Sequence, residues 1–413
     1  MPEGLFQAPK YILSRKHLRG IWEESRDASA RPASPGIDGQ TAQAFAQKLD
    51  ANIDRLHSQL MEDRFRYLKL RPVPIPKDDG KIRIICVPAV RDRLVQRALV
   101  RWLVETKKMP QQDFVYGVKG RGAKLAINQA LSLRGSFDWC LKTDIQAFFD
   151  KIHRGKLKQL IENKLRGSSA LPLLLAAVDQ EIKPRNQYQA REIAAAGIVS
   201  GKGIRQGMPL SPLLANFSLL KFDAICKGHK IKILRYADDI LAFFNSEEGA
   251  RAGLHHIREA LKPLELLVPD MGSAKTDIIP PKLPVTFLGR ELVYLDTAGK
   301  YVARVGRQKL DKIKANLANN YALKSAMEEG SFVHASDSLA ASIRSYLGSY
   351  QDAYNFAHFE SEIRGHYKAI IAGWLKEIFG AHVIQSISDK HRSFLGIKVI
   401  GNLEPSEDLE LTS

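Results

Sequence analysis

The sequence predicts an α+β fold in which short strands fill the middle of the chain and helices begin and close it. Three observations carry that expectation. Between Leu68 and Phe287 short apolar runs are bounded by turn residues, whereas before residue 62 and after residue 300 apolar residues repeat at helical spacing. The composition, 45% hydrophobic and 26% charged over 413 residues, is that of a chain that can bury real cores. At roughly 100–200 residues per domain, that length suggests two or three domains.

Each element has a local reason. Residues 1–62 read as helices interrupted by Ala30-Arg31-Pro32-Ala33-Ser34-Pro35-Gly36, whose proline and glycine density cannot continue a helix. Leu68–Pro76 and Lys81–Val87 are β-rich and flank Asp78-Asp79-Gly80, a hairpin signal. Arg64, Arg66, Lys69, Arg71, Lys77, Lys81 and Arg83 make that hairpin basic, and Arg91, Arg93, Arg97 and Arg101 follow on a helix. Trp139–Thr143 is a strand running into Asp144, and Leu157, Leu160, Ile161 and Leu165 then repeat as a helix. Ser211 as N-cap with Pro212 at the first helical position opens a helix carrying Leu213, Phe217, Leu220 and Ala224 on one face. Ile231–Tyr236 and Ile240–Phe244 flank Ala237-Asp238-Asp239, placing two adjacent carboxylates at a hairpin tip. Leu310, Ile313, Leu317 and Tyr321 form one helical stripe, and Leu339, Ile343, Leu347, Tyr350 and Tyr354 another. The tail, with Glu404, Glu407, Asp408 and Glu410 and little to bury, is expected to be disordered. The expected divisions are a helical extension (1–62), a mixed region (63–300), a helical region (301–400) and the tail (401–413).

Composition excludes several classes. Lysine and arginine number 62 against 45 aspartates and glutamates, a formal charge of +17 that favours a polyanionic partner. The longest apolar run, Ala170–Val178, falls far short of the ~20 residues of a membrane span. Met1–Trp22 has no continuous signal-peptide core. Cys86, Cys140 and Cys226 are widely spaced, without a C-x-x-C pair, so no disulfide framework or zinc knuckle is expected. His255-His256 lacks partners at zinc spacing and reads as structural or exposed. A cytoplasmic protein with no membrane contact is expected; oligomeric state is not written in these features.

Against this basic background, Asp144, Asp238 and Asp239 pose a mechanistic question. If their strands pair in one sheet, three carboxylates converge, which is tolerable only if some are protonated or cations bind. Oxygen ligands favour Mg²⁺, and two such ions about 3.5–4 Å apart can activate a 3′-hydroxyl and steady a leaving pyrophosphate. Taken alone, Asp238-Asp239 reads more readily as a solvated turn pair, because aspartate is common in turns.

The surrounding motifs change that weighting. Tyr236-Ala237-Asp238-Asp239 resembles the Y-x-D-D hairpin of reverse transcriptases. In chain order it is preceded by Asp144-Ile145-Gln146-Ala147-Phe148-Phe149-Asp150, similar to their first catalytic motif, and by Gln206-Gly207-Met208-Pro209-Leu210-Ser211-Pro212, similar to their Q-G-x-x-x-S-P motif. Ile75-Pro76-Lys77, Gly80-Lys81-Ile82-Arg83 and Val90-Arg91-Asp92-Arg93 resemble the fingers of the group II intron lineage, Gly36-Ile37-Asp38-Gly39 its N-terminal extension, and Ala274-Lys275-Thr276 and Phe287-Leu288-Gly289 the last palm motifs. The resemblance runs from about residue 34 to 292, with a weaker helical match to roughly 380.

The resemblance implies a right-hand polymerase with fingers, an antiparallel palm and a helical thumb that extends a primer with dNTPs on an RNA template to give DNA. It implies two Mg²⁺ ions, with Mn²⁺ as a substitute. Metal binding falls on Asp144, Ile145, Asp238 and Asp239, of which the three aspartates are catalytic. Lys81 and Arg83 would meet the triphosphate, Phe149 would be the steric gate that excludes a 2′-hydroxyl, Gln206 and Gly207 would meet the nascent pair, and Lys275 the pyrophosphate. Tyr236, the primer grip Phe287, Leu288 and Gly289, and the thumb residues Arg307 and Lys312 would contact primer and template. Two departures stand out: Arg205 replaces the usual proline before the glutamine, and Tyr116-Gly117-Val118-Lys119-Gly120-Arg121-Gly122 differs from the usual F-R-P-G-R-S. No Cys/His-rich endonuclease segment follows the thumb. Together these point to a free-standing bacterial type that copies a dedicated non-coding RNA, often in phage defence. The alternatives are a non-catalytic or maturase-like RNA-binding protein of a group II intron, favoured least by an intact triad, and an RNA-dependent RNA polymerase, disfavoured by Phe149.

Overall fold

The computed structural model describes residues 10–25, 27, 34–76, 80, 82–106, 111–273, 275–386, 388 and 391. A 3-10 turn, Lys10–Leu13, leads to helices α1 (Arg15–Glu23), α2 (Ala42–Ala46) and α3 (Leu49–Met61). Ser14 and Thr41 begin α1 and α2 because their hydroxyls accept the otherwise unpaired N–H groups of His17 and Ala44. Strands β1 (Arg71–Pro76) and β2 (Ile82–Val87) form an antiparallel hairpin. Next come α4 (Val90–Glu105), β3 (Val115–Tyr116), α5 (Ala123–Ser136), β4 (Trp139–Asp144), α6 (Phe148–Lys151), α7 (Arg154–Lys164), α8 (Leu171–Val178), α9 (Gln187–Ala195), α10 (Ser211–Ser218) and α11 (Leu220–Gly228). They are followed by β5 (Lys232–Tyr236), β6 (Asp239–Phe244), α12 (Glu247–Leu261), β7 (Asp277–Ile279), β8 (Val285–Phe287), β9 (Arg290–Leu295) and β10 (Lys300–Arg304). Helices α13 (Arg307–Asn320), α14 (Leu323–Met327), α15 (Phe332–Tyr350), α16 (Phe356–Phe379) and α17 (Ala381–Ser386) complete the described elements.

The fold is α+β, as the sequence predicts. It separates into two compact units, one from residues 1–126 and 136–281, the other from 127–135 and 282–413. Residue 300 opens β10, which pairs with β9, so the β8–β10 meander belongs with the helices that follow it.

In the first unit β3, β5, β6, β4 and β7 form a five-stranded sheet in that order, and only β3 and β5 run parallel. Alternation along β4–β6 drives Leu141, Ile233, Ile240 and Ala242 into a core shared with Leu157, Ile161, Leu214, Phe217, Phe222, Leu254 and Ile257 from the helices. Each leucine, isoleucine and phenylalanine among them contributes about 1.5–3 kcal/mol when fully buried, which fixes the register that places the acidic residues. In the second unit Leu310, Ile313 and Leu317 meet Leu339, Ile343, Leu347, Phe359, Ile363 and Trp374. Both expected stripes are present, except that Tyr354 lies beyond the end of α15 and is 67% exposed.

Several expectations are corrected. Ser211 does not cap a helix: α10 begins after Leu210, and the Ser211 hydroxyl donates instead to the Arg205 carbonyl at 2.6 Å. The chain also breaks at Leu219, so α10 and α11 are separate helices, with Leu214, Phe217, Phe222 and Cys226 buried rather than Leu213, Leu220 and Ala224. The arginines expected on a helix do lie on α4, where Arg93 and Arg97 both bind Asp27 and Arg101 pairs with Glu24. Buried guanidinium groups require such partners, and these anchor α4 to the N-terminal segment. His256 stacks on His229 at 4.7 Å, and Cys86, Cys140 and Cys226 are buried and not in disulfides. Among the described residues no helix is long and apolar enough to cross a membrane. Lys77, Lys81, Ala274 and the 401–413 tail lie outside the described residues.

Asp92, on the buried face of α4, accepts the Leu68 N–H at 2.8 Å and faces Arg91 Nε at 3.3 Å. Burial nevertheless pushes its carboxyl up to about 7, against roughly 3.9 in an unfolded chain. Between those values only the folded chain holds the proton, so this group's stabilisation is complete below about pH 4 and is lost as pH rises through about 7. Asp92→Asn keeps an acceptor for Leu68 and removes the titration. Urea unfolding at pH 5 and pH 8 should show the variant losing about 3 kcal/mol less than the native chain over that interval.

Candidate active site

The acidic tip is built by β5 and β6, whose pairing of Tyr236 with Asp239 leaves Ala237 and Asp238 as the turn. Ala237 takes a left-handed φ of 54°, a conformation that costs a non-glycine residue on the order of 1–2 kcal/mol and must be held. Arg235 holds it. The buried guanidinium donates to the Ala237 carbonyl at 2.9 Å and is itself fixed by Asp223 Oδ1 and Oδ2 at 2.8 and 2.6 Å and by Asn216 Oδ1 at 2.8 Å.

β4 delivers the third carboxylate. Asp144 is directly opposite Asp239, and cross-strand partners project from the same face of a sheet. The buried Ile145 closes the corner by donating its N–H to the Asp238 carbonyl at 3.1 Å. A 2.7 Å contact between the hydroxyls of Thr143 and Thr276 secures the neighbouring loop, from which the Lys275 ammonium pairs with Asp144 Oδ2.

Two of the three carboxylates are perturbed by their surroundings. Burial raises Asp238 above the usual carboxylate range and the Asp144 charge adds to the rise; burial and then Asp238 push Asp239 up to about 6. Asp144 Oδ1 is buried and accepts no hydrogen bond among the described residues. An all-oxygen donor set, mutual repulsion and an orphaned oxygen are what a hard divalent cation relieves, so the residues fit Mg²⁺ in kind. Their geometry is not a finished cage: among the described residues no three acidic, histidine or cysteine side chains stand close enough to hold a metal, and the Lys275 ammonium supplies the positive charge at Asp144.

The residues expected to contact the nucleotide in this unit lie as follows. Arg83, exposed on β2, lies close enough for its charge to act on Asp238. Phe149 follows the left-handed Ala147, with its ring 5.5 Å from that of the buried Phe148. The Gln206 carbonyl accepts the Cys86 N–H at 2.6 Å, and Gly207, at φ +106°, has no room for a side chain because a Cβ would come within 2.6 Å of the Cys86 carbonyl oxygen. Tyr236 packs its ring beside Gly117. In the second unit Phe287 is buried and pairs with Arg290 across Leu288 and Gly289, whose φ values of 48° and 77° make a two-residue hairpin turn of the I′ kind. Arg307 is exposed near Asp311, and Lys312 is half-buried on α13.

Residues 75–292, over half the chain, match the family model described as "Reverse transcriptase (RNA-dependent DNA polymerase)". The chain belongs to the reverse transcriptase family. Its relatives include Protein YkfC of Escherichia coli, 26% identical over 54% of each chain, and the group II intron-encoded protein LtrA of Lactococcus lactis, 26% identical over 49% of this chain and 32% of that one. A third is the Retron Ec83 reverse transcriptase of Escherichia coli, 28% identical over 46% of this chain and 58% of that one. The matches thus span about half of YkfC and less of LtrA. Among solved structures, a chain of a Cas6-RT-Cas1–Cas2 complex is matched at 23% identity with a TM-score of 0.34, covering 62% of this chain and 41% of that one.

Three sets of residues around this reverse transcriptase site escaped the sequence reading. They are the Arg235–Asp223–Asn216 clamp, the Thr143–Thr276 tie, and a junction of Glu181 with Arg154 and Arg205. An arginine inside the apolar run Ile231–Tyr236 was the available signal for the first, since a charge buried in a strand requires an opposite partner.

Proposed function

We propose that this protein is an RNA-directed DNA polymerase that extends a primer with dNTPs on an RNA template, using two Mg²⁺ ions. The observation that carries the reading is the strand register that sets Asp144 opposite Asp239 with Asp238 in the adjoining turn. Asp144, Asp238 and Asp239 would hold the ions, which when bound supply Lewis acidity to the attacking hydroxyl and the leaving pyrophosphate. Lys275, which pairs with Asp144, would meet the pyrophosphate, Arg83 would bind the triphosphate, and Gln206 and Gly207 would border the nascent pair. β1–β2 and the five-stranded sheet act as fingers and palm, Phe287–Gly289 as primer grip, and α13–α16 as a thumb whose Arg307 and Lys312 meet the duplex backbone.

Phe149 sits under the sugar and excludes a 2′-hydroxyl by contact. Phe149→Ala is expected to raise rNTP use relative to dNTP use by about 10–100-fold, the range that steric pocket contacts provide. Single-nucleotide incorporation kinetics check it.

The template we propose is a dedicated non-coding RNA, copied in the cytoplasm as part of phage defence; the support is the resemblance of the motifs to free-standing bacterial reverse transcriptases. Incorporation by the purified protein on its co-purifying RNA, with dNTPs or NTPs and Mg²⁺, tests the reading. Incorporation of dNTPs alone is expected, and sequencing the product identifies the template. Bound RNA without incorporation would overturn the polymerase reading in favour of a maturase-like RNA-binding role.

A further inference from the structure

Arg205 stands where relatives were expected to carry proline, and it is almost wholly buried, with 1% of its side chain exposed. Its guanidinium Nη2 donates to Glu181 Oε2 at 2.7 Å and to the Val199 carbonyl at 2.9 Å, while Nη1 donates to the Lys202 carbonyl at 3.1 Å. A second buried arginine enters from α7: Arg154 donates to Glu181 Oε1 at 2.6 Å through Nη1 and to the Gly203 carbonyl at 2.7 Å through Nε. Glu181 Oε1 also accepts the Gly201 N–H at 2.8 Å. One carboxylate therefore pairs with two buried guanidinium groups, and these in turn donate to the Val199, Lys202 and Gly203 carbonyls of the 199–203 loop.

That loop is stitched to the gate segment. Ile204 donates its N–H to the Phe149 carbonyl at 2.8 Å and Gly203 to the Ile152 carbonyl at 3.0 Å. The approach is so close that a Cβ on Gly203 would lie 2.5 Å from the Asp150 carbonyl oxygen and 2.6 Å from that of Phe149. On its other side the same stretch holds β2 through the Cys86 N–H to Gln206 carbonyl bond of 2.6 Å. The Glu181 backbone completes the circuit, its carbonyl accepting the Leu70 N–H at 2.8 Å beside β1.

We infer that Glu181 and Arg205 are positioning residues for sugar selection: their junction braces the 199–206 stretch between Phe149 and β2 and so fixes the height of the Phe149 ring beneath the incoming nucleotide. This rests on the polymerase reading above. A proline in place of Arg205 would rigidify the backbone by its ring; this chain obtains the same rigidity from a charge-assisted network. Neither residue touches the nucleotide, so their influence passes through Phe149 and is non-additive with its removal.

The test is single-nucleotide incorporation by the full chain on an annealed RNA template and DNA primer, comparing kcat/KM for a dNTP and the matching rNTP. Glu181→Gln leaves the two guanidinium groups without their carboxylate. It should raise KM for the dNTP about tenfold with little change in kcat, and lower the dNTP preference about tenfold, since misplacements near 1 Å cost up to about a hundredfold. Arg205→Lys, which keeps the charge but lacks the fork by which Nη1 reaches the Lys202 carbonyl while Nη2 holds Glu181 and Val199, should move both quantities the same way and serves if Glu181→Gln folds poorly. In a Phe149→Ala background Glu181→Gln should cause no further loss of preference. Unchanged preference in both single variants, or a loss that adds in full to that of Phe149→Ala, overturns the inference. Amide hydrogen exchange gives a second readout that needs no activity: Gly203 and Ile204 should exchange faster in Glu181→Gln while Leu141 and Ile240 stay protected. Equal protection of Gly203 and Ile204 in variant and native protein overturns the brace, whereas a native protein that incorporates no nucleotide overturns the polymerase reading itself.

Discussion

Replacing Asp238 by asparagine is expected to lower nucleotide incorporation by roughly a thousandfold while leaving the fold intact. Asparagine keeps the shape of the side chain but removes the charge that would hold a divalent cation. Losing a metal ligand forfeits several kcal/mol of transition-state charge stabilisation, and about 4 kcal/mol is three orders of magnitude. The fold is spared for two reasons. The tie to β4 runs through the Asp238 backbone carbonyl, which still accepts the Ile145 N–H. The carboxylate itself is under strain, raised by burial and by the charge of Asp144, so neutralising it removes a repulsion rather than a bond. Primer extension and a thermal melt measured on the same preparation check both halves: activity lost, midpoint equal to or above that of the native chain. A midpoint lowered by several degrees would mean that Asp238 supports the structure and that the activity loss is indirect.

The contrast between what was and was not legible in the sequence follows the range of the interactions. The tip was legible because the apolar runs Ile231–Tyr236 and Ile240–Phe244 are local signals, and a two-residue turn between apolar strands leaves few options for Ala237 and Asp238. The helical stripes of α13 and α15 were legible for the same reason. The role of the α4 arginines was not, because whether a cation faces solvent depends on Asp27 and Glu24, which are far away in sequence. Ser211 misled in a different way: Ser-Pro is a sound local start signal, but a buried carbonyl on Arg205 competes for the hydroxyl, and the helix starts without a side-chain cap. The Glu181 junction joins residues from three separate stretches, and no spacing rule connects them.

Asp223→Ala is expected to cost about 3–5 kcal/mol, the largest stability loss of any substitution considered for this chain, because it strands the Arg235 guanidinium in a fully buried position. The remaining partners, the Asn216 amide oxygen and the Ala237 carbonyl, carry no charge to offset it. The double replacement Asp223→Leu with Arg235→Met separates two roles of the pair. It removes both charges together and restores apolar packing, so chemical unfolding should return much of the lost stability, as replacing buried ion pairs by apolar residues often does. Activity should not return with it. Methionine cannot donate to the Ala237 carbonyl, so the left-handed turn that presents Asp238 loses its side-chain brace, and a loosened turn displaces that carboxylate from Asp144 and Asp239. A displacement near 1 Å costs up to about a hundredfold in rate. A stable double variant with primer-extension activity near native would assign the pair to folding alone. A stable variant with low activity would make Arg235 the residue through which α10 and α11 set the geometry of the acidic tip.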